Sequence, residues 1–101
     1  MSAYFILTQD FTDLERFQQE YVPKVFPFIA KHNGEVIVAS FDAEPLEGDP
    51  PKGAVVIKFP SEQAVRDWVN DPDYKEVKEI RLALTTNANA VLAPEFRMAE
   101  G

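Results

Sequence analysis

Strand-like and helix-like apolar patterns follow one another along this chain in a single order, and that order restricts the fold more than any other feature. Residues 3–9 form a β-prone apolar run, and residues 35–41 and 54–59 have the same character. Residues 87–93 make a weaker fourth run that Pro94 ends. Short runs of β-branched and aromatic residues between turn residues predict strands. We therefore expect four strands.

A long helical pattern separates the first two predicted strands. Apolar residues spaced by three and four run through residues 14–29, which is the spacing of one helix face. Thr12 and Glu15 form a capping box, so the helix is predicted to begin at Thr12, and Asn33-Gly34 is a typical helix end. A proline deletes a helical hydrogen bond, so we expect a kink, or two helices meeting, near Val22-Pro23.

A second helical unit, broken in two, lies between the third and fourth predicted strands. Ser61 stands where it can cap a helix from residue 62 to about residue 70. Asp71-Pro72 then restarts a helix, with the aspartate as N-cap and the proline as the first helical residue. Residues 42–53 hold four acids and three prolines, so they are predicted to form a loop.

The order β-α-β-β-α-β predicts an α+β protein with the ferredoxin-like fold, an antiparallel four-stranded sheet with helices on one face. The first strand carries Phe5 and Leu7 on one side and Tyr4 and Ile6 on the other, so both faces of the sheet are apolar. An apolar face without helices is commonly buried against a second subunit. We therefore expect a homodimer whose sheets pack face to face, a dimeric α+β barrel.

Length and composition limit the classes of function. A chain of 101 residues supports one domain, residues 1–101, and we expect the tail, residues 95–101, to be flexible. Ten Lys and Arg against 17 Asp and Glu give a net charge of −7, which disfavours nucleic acid or an anionic membrane as the main partner. With no cysteine and one histidine, the chain offers no Cys-based or multi-histidine metal site, so we predict no metal.

Targeting and cofactor motifs are also missing from the sequence. The four glycines are scattered and form no phosphate-binding loop, so no cofactor is predicted. No run approaches the roughly 20 apolar residues that span a bilayer. The N-terminal residues resemble a strand rather than a signal peptide, so the cytoplasm is the expected compartment.

Arg81 is the most unusual residue on a predicted core face. It shares one helical face with Tyr74 and two apolar residues, through spacings of three, four and three. A charge within an apolar stripe is costly unless it is paired or hydrogen-bonded. One interpretation is that Arg81 reaches the rim or pairs with a carboxylate such as Glu47 or Asp42. The other is that its guanidinium faces a cavity and holds a carboxylate or enolate of a small ligand.

Other side chains are predicted to lie near such a cavity. Tyr74 and Tyr21 stand on core-facing stripes, where a buried tyrosine ordinarily finds one hydrogen-bond partner. Trp68 is either a core residue or a wall of the site. Ser61 is most simply a helix cap, with a polar contact at the cavity mouth as the alternative. His32, in the last turn of its helix, is expected to interact at the surface with the helix dipole rather than to act in catalysis.

The order of several motifs resembles that of DUF1330, a family of domains of unknown function. The resemblance spans residues 3–93, and it implies a dimeric α+β barrel without an established reaction. Because Leu46-Glu47-Gly48 matches the family pattern, Glu47 becomes a candidate partner of Arg81 or a general base. The residues that carry the resemblance are Asn33-Gly34, Leu46-Glu47-Gly48, Phe59-Pro60-Ser61, Ala64, Trp68, Tyr74 and Arg81.

These observations predict a small-molecule pocket between sheet and helices in each subunit, with Arg81 holding an anionic or carbonyl oxygen. The predicted ligand contacts are Arg81, Tyr74, Trp68, Tyr21, Ser61 and Glu47. Whether the protein is an enzyme stays open at this point. If it is, cofactor-free proton transfer or isomerisation suits the candidate catalytic residues Arg81, Tyr74 and Glu47. The alternative is a non-catalytic dimeric binding or structural module in which Arg81 forms a core salt bridge.

Overall fold

A computed structural model, which describes residues 1–98, has the predicted succession of strands and helices. Short connections join most of them, and a longer loop separates the second and third strands. In chain order the elements are β1 (Ala3–Phe11), α1 (Leu14–Arg16), a π-helical turn (Phe17–Tyr21), α2 (Val22–Lys31), β2 (Glu35–Ser40), β3 (Gly53–Phe59), α3 (Glu62–Val69), α4 (Lys75–Leu84) and β4 (Thr85–Pro94).

The strands form one antiparallel sheet in the order β2-β3-β1-β4, as the ferredoxin-like prediction requires. Every second residue of β1 from Ala3 to Gln9 is buried, while the residues between them are half-buried. The buried side chains join a core with residues of the helices, so the helices cover this face of the sheet. The predicted α+β architecture is confirmed.

The first helical region differs from the prediction at its start and at its centre. Asp13, rather than Thr12, is the N-cap: its backbone is extended, and its carboxylate accepts a hydrogen bond from the Arg16 amide at 3.1 Å. Further along, the Val22 amide donates to Phe17 O, which is five positions earlier and not the usual four. Because Pro23 has no N–H to donate, the break expected near Val22-Pro23 takes the form of a widened turn.

The end of this helical region is as predicted, at Asn33-Gly34. Asn33 adopts a left-handed conformation with φ 61°, which asparagine tolerates. The Gly34 amide donates to Ile29 O at 2.8 Å and closes the last turn. A Cβ atom on Gly34 would lie 2.7 Å from Ile29 Cγ2, so the close approach of α2 to the turn requires glycine.

The second helical unit confirms one predicted cap and corrects the other. The Ser61 hydroxyl accepts a hydrogen bond from the Ala64 amide at 3.1 Å and caps α3. The helix predicted to restart at Asp71 begins instead at Lys75, after a turn in which the Asp71 carboxylate accepts from the Asp73 amide at 2.9 Å. The Asp71 carboxylate is therefore the cap of a tight turn and not of the helix itself.

Asp71 also joins the end of α2 to this turn. Its Oδ2 atom lies 2.8 Å from both Lys31 Nζ and His32 Nε2. The hydrogen bond from Lys31, followed by that from His32, holds the pKa of the Asp71 carboxyl well below its ordinary value. His32, expected at the surface, is instead half-buried against Asp71, a contact that no local sequence rule could indicate.

The chain passes from α4 to β4 without a loop, since Leu84 ends the helix and Thr85 begins the strand. The Thr85 hydroxyl donates to the Arg81 carbonyl oxygen at 2.7 Å, within the last turn of α4. The edge strand β4 and the position of Arg81 are therefore joined by continuous, hydrogen-bonded backbone.

After β4, residues 95–98 have no regular secondary structure, although the Glu95 amide donates to Ser2 O at 2.9 Å. Residues 99–101 lie outside the described part of the chain, so the expected flexibility of the tail, residues 95–101, stays a prediction. Within residues 1–98, no helix is long and apolar enough to cross a bilayer.

Candidate functional site

Four of the six predicted site residues line one cavity of about 90 Å³ between the sheet and the helices, called the inner cavity below. Tyr21 ends the π-helical turn, Trp68 lies on α3, Tyr74 precedes α4 and Arg81 lies on α4. Their side chains converge because each occupies the buried face of its element. The remaining walls are mostly apolar and come from β1, β2, β3 and α2.

Arg81 is the only charged side chain among those that line the inner cavity in the described part of the chain. It is 7% exposed, and its Nη1 atom donates to Gln9 Oε1 at 3.1 Å. No carboxylate of residues 1–98 lies within 4.0 Å of the guanidinium. The neutral amide of Gln9 satisfies one donor of a group that has five and leaves its positive charge uncompensated.

Gln9 is a site residue that the sequence analysis missed. It is 1% exposed and stands on β1 in alternation with the buried Phe5 and Leu7. That alternation is the signal that could have identified it, because a polar residue at an inward position of a strand needs a partner inside the protein. Since Arg81 can only donate, the Gln9 carbonyl oxygen faces it, and the Gln9 amino group remains as a donor.

The two tyrosines form a hydrogen-bonded pair beside Arg81. The hydroxyl oxygens of Tyr21 and Tyr74 are 2.6 Å apart and buried. Burial is the main cause that raises the pKa of both hydroxyls, and the positive charge of Arg81 opposes the rise. Both side chains therefore stay neutral at physiological pH: one hydroxyl donates to the other, and the second keeps its proton for another acceptor.

Trp68 packs among aromatic rings but leaves its polar atom unpaired. Its ring is edge-on to Phe5 at 4.8 Å, stacked on Phe59 at 5.5 Å and tilted against Tyr74 at 5.1 Å between centroids. The side chain is 2% exposed, and its Nε1 atom has no hydrogen-bond partner within residues 1–98. A buried N–H group without a partner costs free energy, so the packing of the ring is obtained at the expense of one hydrogen bond.

Two predicted contacts, Glu47 and Ser61, do not line the inner cavity. Glu47 is exposed in the loop between β2 and β3, and the hydroxyl of Ser61 is used in capping α3. Nor does the carboxylate of Asp42 approach Arg81: it lies 3.8 Å from Lys52 Nζ. The structure therefore does not bring to Arg81 the base or the ion-pair partner considered from the sequence.

The polar groups of the inner cavity are mainly donors: the guanidinium, the Gln9 amino group and the one hydroxyl of the tyrosine pair whose proton is not used within the pair. Within residues 1–98 its lining contains no carboxylate and no imidazole. In that part of the chain no group of three His, Asp or Glu side chains is arranged to hold a metal ion. The arrangement suits the binding of an acceptor, such as a carboxylate, carbonyl or enolate oxygen.

The family model of a domain of unknown function, DUF1330, matches residues 2–96. The chain belongs to this family. The match confirms the resemblance seen in the order of the motifs, and it extends over nearly all of the described residues. A search of curated proteins found no match.

Three solved structures share this fold: two are of proteins of unknown function, and one is of a hypothetical protein. One, from Rhodopseudomonas palustris, has a TM-score of 0.77 and 15% identity, with coverage of 96% of this DUF1330 chain and 84% of that protein. A hypothetical protein from Arabidopsis thaliana has a TM-score of 0.64 and 12% identity, with coverage of 97% and 91%. A dimeric ferredoxin-like protein from Thermobifida fusca has a TM-score of 0.59 and 18% identity, with coverage of 94% and 92%. Identities this low establish the fold alone.

Proposed function

We propose that this protein binds a small ligand with a carboxylate, carbonyl or enolate oxygen in the inner cavity, through Arg81, and that it does so as a homodimer. The observation that carries the binding proposal is the buried guanidinium, whose hydrogen-bond partner within residues 1–98 is the neutral Gln9 amide. An unpaired charge is expensive to bury. An anionic ligand would supply the missing charge and accept hydrogen bonds in pairs from the planar guanidinium.

The size and lining of the inner cavity support a short, largely apolar ligand. A cavity of about 90 Å³ is smaller than the roughly 150 Å³ of a cavity that binds benzene, so its enclosed part admits only a ligand of no more than about six non-hydrogen atoms. Leu7, Val25 and Ile57 offer apolar contacts to a hydrocarbon body, and Arg81 offers the charged one. A carboxylate on a chain of about three carbons has matching dimensions and polarity.

Binding without turnover is the function that the geometry supports best. Proton abstraction next to a carbonyl needs a base, and the lining described above contains no carboxylate or imidazole. The pair of Tyr21 and Tyr74, whose pKa values are raised, is suited to donating one hydrogen bond to an oxygen that carries negative charge. Within residues 1–98 the lining of the cavity offers no base for isomerisation, and Glu47 is exposed in its loop.

The dimer proposal is supported by an apolar row on the face of the sheet that carries no helices, called the open face below. Val38 pairs with Val56, Val56 with Ile6, and Ile6 with Val91, so one row crosses all four strands. Val38 is 45% exposed and Val91 is 57% exposed. Such a continuous apolar surface is typical of an interface. The structural relative from Thermobifida fusca is described as dimeric, which supports a dimer here without indicating its interface.

Titration calorimetry with butyrate and its neutral isostere butyramide tests the binding proposal. Butyrate is expected to bind at least about tenfold more tightly, because a charged pair of hydrogen bonds is stronger than a neutral one. Trp68, the single tryptophan of the chain, gives a fluorescence signal from the cavity wall in the same titration.

Matched variants localise the effect. Arg81→Met is expected to abolish the preference for butyrate, whereas Arg16→Met, which removes an exposed arginine of α1, is expected to preserve it. Thermal unfolding verifies that both variants fold. Equal binding of butyrate and butyramide by the wild-type protein, or unchanged butyrate binding by a folded Arg81→Met variant, would refute the proposal.

A further inference from the structure

A second hollow of about 340 Å³ lies on the other side of the aromatic wall, between α3, α4 and β4; it is called the groove below. Phe5, Trp68, Tyr74 and Arg81 line both hollows. The groove is wider than the inner cavity, and its volume falls within the range of about 300–1,000 Å³ that is usual for sites of drug-sized ligands. Trp68, Tyr74 and Arg81, predicted from the sequence as ligand contacts, line this second hollow as well, whereas its other α3 residues and its β4 residues are not among the predicted contacts.

The charged residues that line the groove, within residues 1–98, are all cations: Arg66, Lys78 and Arg81. Lys78 is half-buried and has no carboxylate within 4.0 Å in that part of the chain. Arg66 has one contact of 3.3 Å with Glu62, which engages a single nitrogen of its guanidinium. Three cations around one hollow are unusual in a protein of net charge −7, and they favour an anion there.

The apolar part of the groove determines what such an anion must carry. Val65 and Val69 of α3 face Ala90 and Leu92 of β4 across it, so a hydrophobic body can be covered on two sides. The ring of Trp68 adds an aromatic surface to the shared wall. Cations and apolar walls together are complementary to an amphipathic acid.

We propose that the groove is a second binding site, for an amphipathic organic anion that places its carboxylate near Lys78 and Arg81 and its hydrocarbon body between α3 and β4. This site shares Arg81 with the inner cavity but does not depend on occupancy of that cavity. Lys78 lines only the groove, and Ala39 lines only the inner cavity, so the two sites have separate reporters.

Calorimetric titration with 2-naphthoate, and with its neutral amide 2-naphthamide as the control ligand, tests the proposal. The acid is expected to bind more tightly than the amide. Lys78→Gln is expected to weaken 2-naphthoate binding about fivefold, the effect of losing one partly exposed charge contact. Lys75→Gln is the matched control, because Lys75 is exposed on the same helix and does not line the groove.

A third variant separates this proposal from the function proposed above. Ala39→Leu narrows the inner cavity and is expected to weaken butyrate binding while leaving 2-naphthoate binding unchanged. If Ala39→Leu weakens 2-naphthoate binding and Lys78→Gln does not, the ligand lies in the inner cavity, and the groove proposal is wrong while the proposed function stands. Equal loss in Lys75→Gln and Lys78→Gln, or no preference for the acid over the amide, would also overturn it.

Discussion

The hydroxyl groups of Tyr21 and Tyr74 are hydrogen-bonded to one another at 2.6 Å, although 53 positions separate the two residues in the chain. The bond joins the π-helical turn to the start of α4 at the wall of the inner cavity. Both hydroxyls are buried, so the loss of this bond leaves a buried polar group that must find another partner.

This pair predicts that the double substitution lowers the free energy of unfolding by less than the two single substitutions added together. Tyr21→Phe leaves the Tyr74 hydroxyl buried without its partner, so the free energy of unfolding should fall by about 1–2 kcal/mol. The double variant Tyr21→Phe/Tyr74→Phe should lose less than the sum of the two single variants, because no orphaned hydroxyl remains. Urea unfolding measures both, with Tyr4→Phe on the open face as the control. Additive losses would contradict the interpretation of the pair as one unit.

Replacing Arg81 and its buried partner together should stabilise the protein. The guanidinium is buried with an uncompensated charge, and replacing such a group and its hydrogen-bond partner by apolar side chains is commonly neutral or favourable. We expect the double variant Gln9→Leu/Arg81→Met to raise the free energy of unfolding by about 1–2 kcal/mol, measured by chemical denaturation. Arg81→Met alone should be less stable than the double variant, because it leaves the buried Gln9 oxygen without its partner. Arg16→Met, at an exposed position, should change the free energy of unfolding by less than about 0.5 kcal/mol. A large destabilisation of the double variant would support the alternative in which Arg81 is purely structural.

A carboxylate introduced beside Arg81 should pair with the guanidinium and so weaken the binding of an anionic ligand. In Gln9→Glu, the new side chain would stand where Gln9 Oε1 now accepts from Arg81 at 3.1 Å, and it would neutralise the guanidinium. Butyrate affinity is expected to fall at least about tenfold, without loss of the cavity walls. Calorimetry measures the effect, with the exposed Gln18→Glu as a control for the change in net charge. Retained butyrate affinity in Gln9→Glu would show that the anion does not bind at Arg81.

Asp71 predicts the direction of a pH effect on stability. Lys31 and His32 lower its pKa in the folded state below the ordinary value, so this carboxylate adds stability above the unfolded-state pKa of about 3.9. That contribution is lost as the pH falls below about 4 and toward the lower folded-state pKa. The stability difference between the wild-type protein and Asp71→Asn should therefore be constant near neutral pH and shrink below about pH 4.

Unfolding measured from pH 7 down to pH 3 follows this difference, and Asp49→Asn, in the exposed loop, provides the comparison. A difference that grows on acidification would contradict the assigned sign.

The apolar row on the open face predicts where association can be disrupted. Val91→Glu places a charge at one end of the row and is expected to shift the protein from dimer to monomer in sedimentation experiments. Leu82→Glu is the matched control, since Leu82 is 52% exposed on α4, away from the open face. A monomeric wild-type protein, or a Val91→Glu variant that remains dimeric, would exclude this surface as the interface.

Local rules explain which parts of the fold and site could be predicted from the sequence. The inward position of Arg81 followed from helical spacing, and the cap formed by Ser61 followed from the residues around it. The alternation along β1 also indicates that Gln9 points inward. Its hydrogen bond to Arg81, however, depends on how α4 packs on β1, which no spacing in the sequence specifies. The same limit applies to Glu47, whose match to a family motif said nothing about where its loop would place it.

The junction between α4 and β4 has a mechanical consequence. Thr85 begins the edge strand and is hydrogen-bonded to the Arg81 carbonyl oxygen four positions earlier, with no loop between them to absorb movement. The direction in which the edge strand leaves the helix is therefore fixed within one turn of the residue that carries the buried charge. A substitution that lengthened this junction would change the placement of both at once.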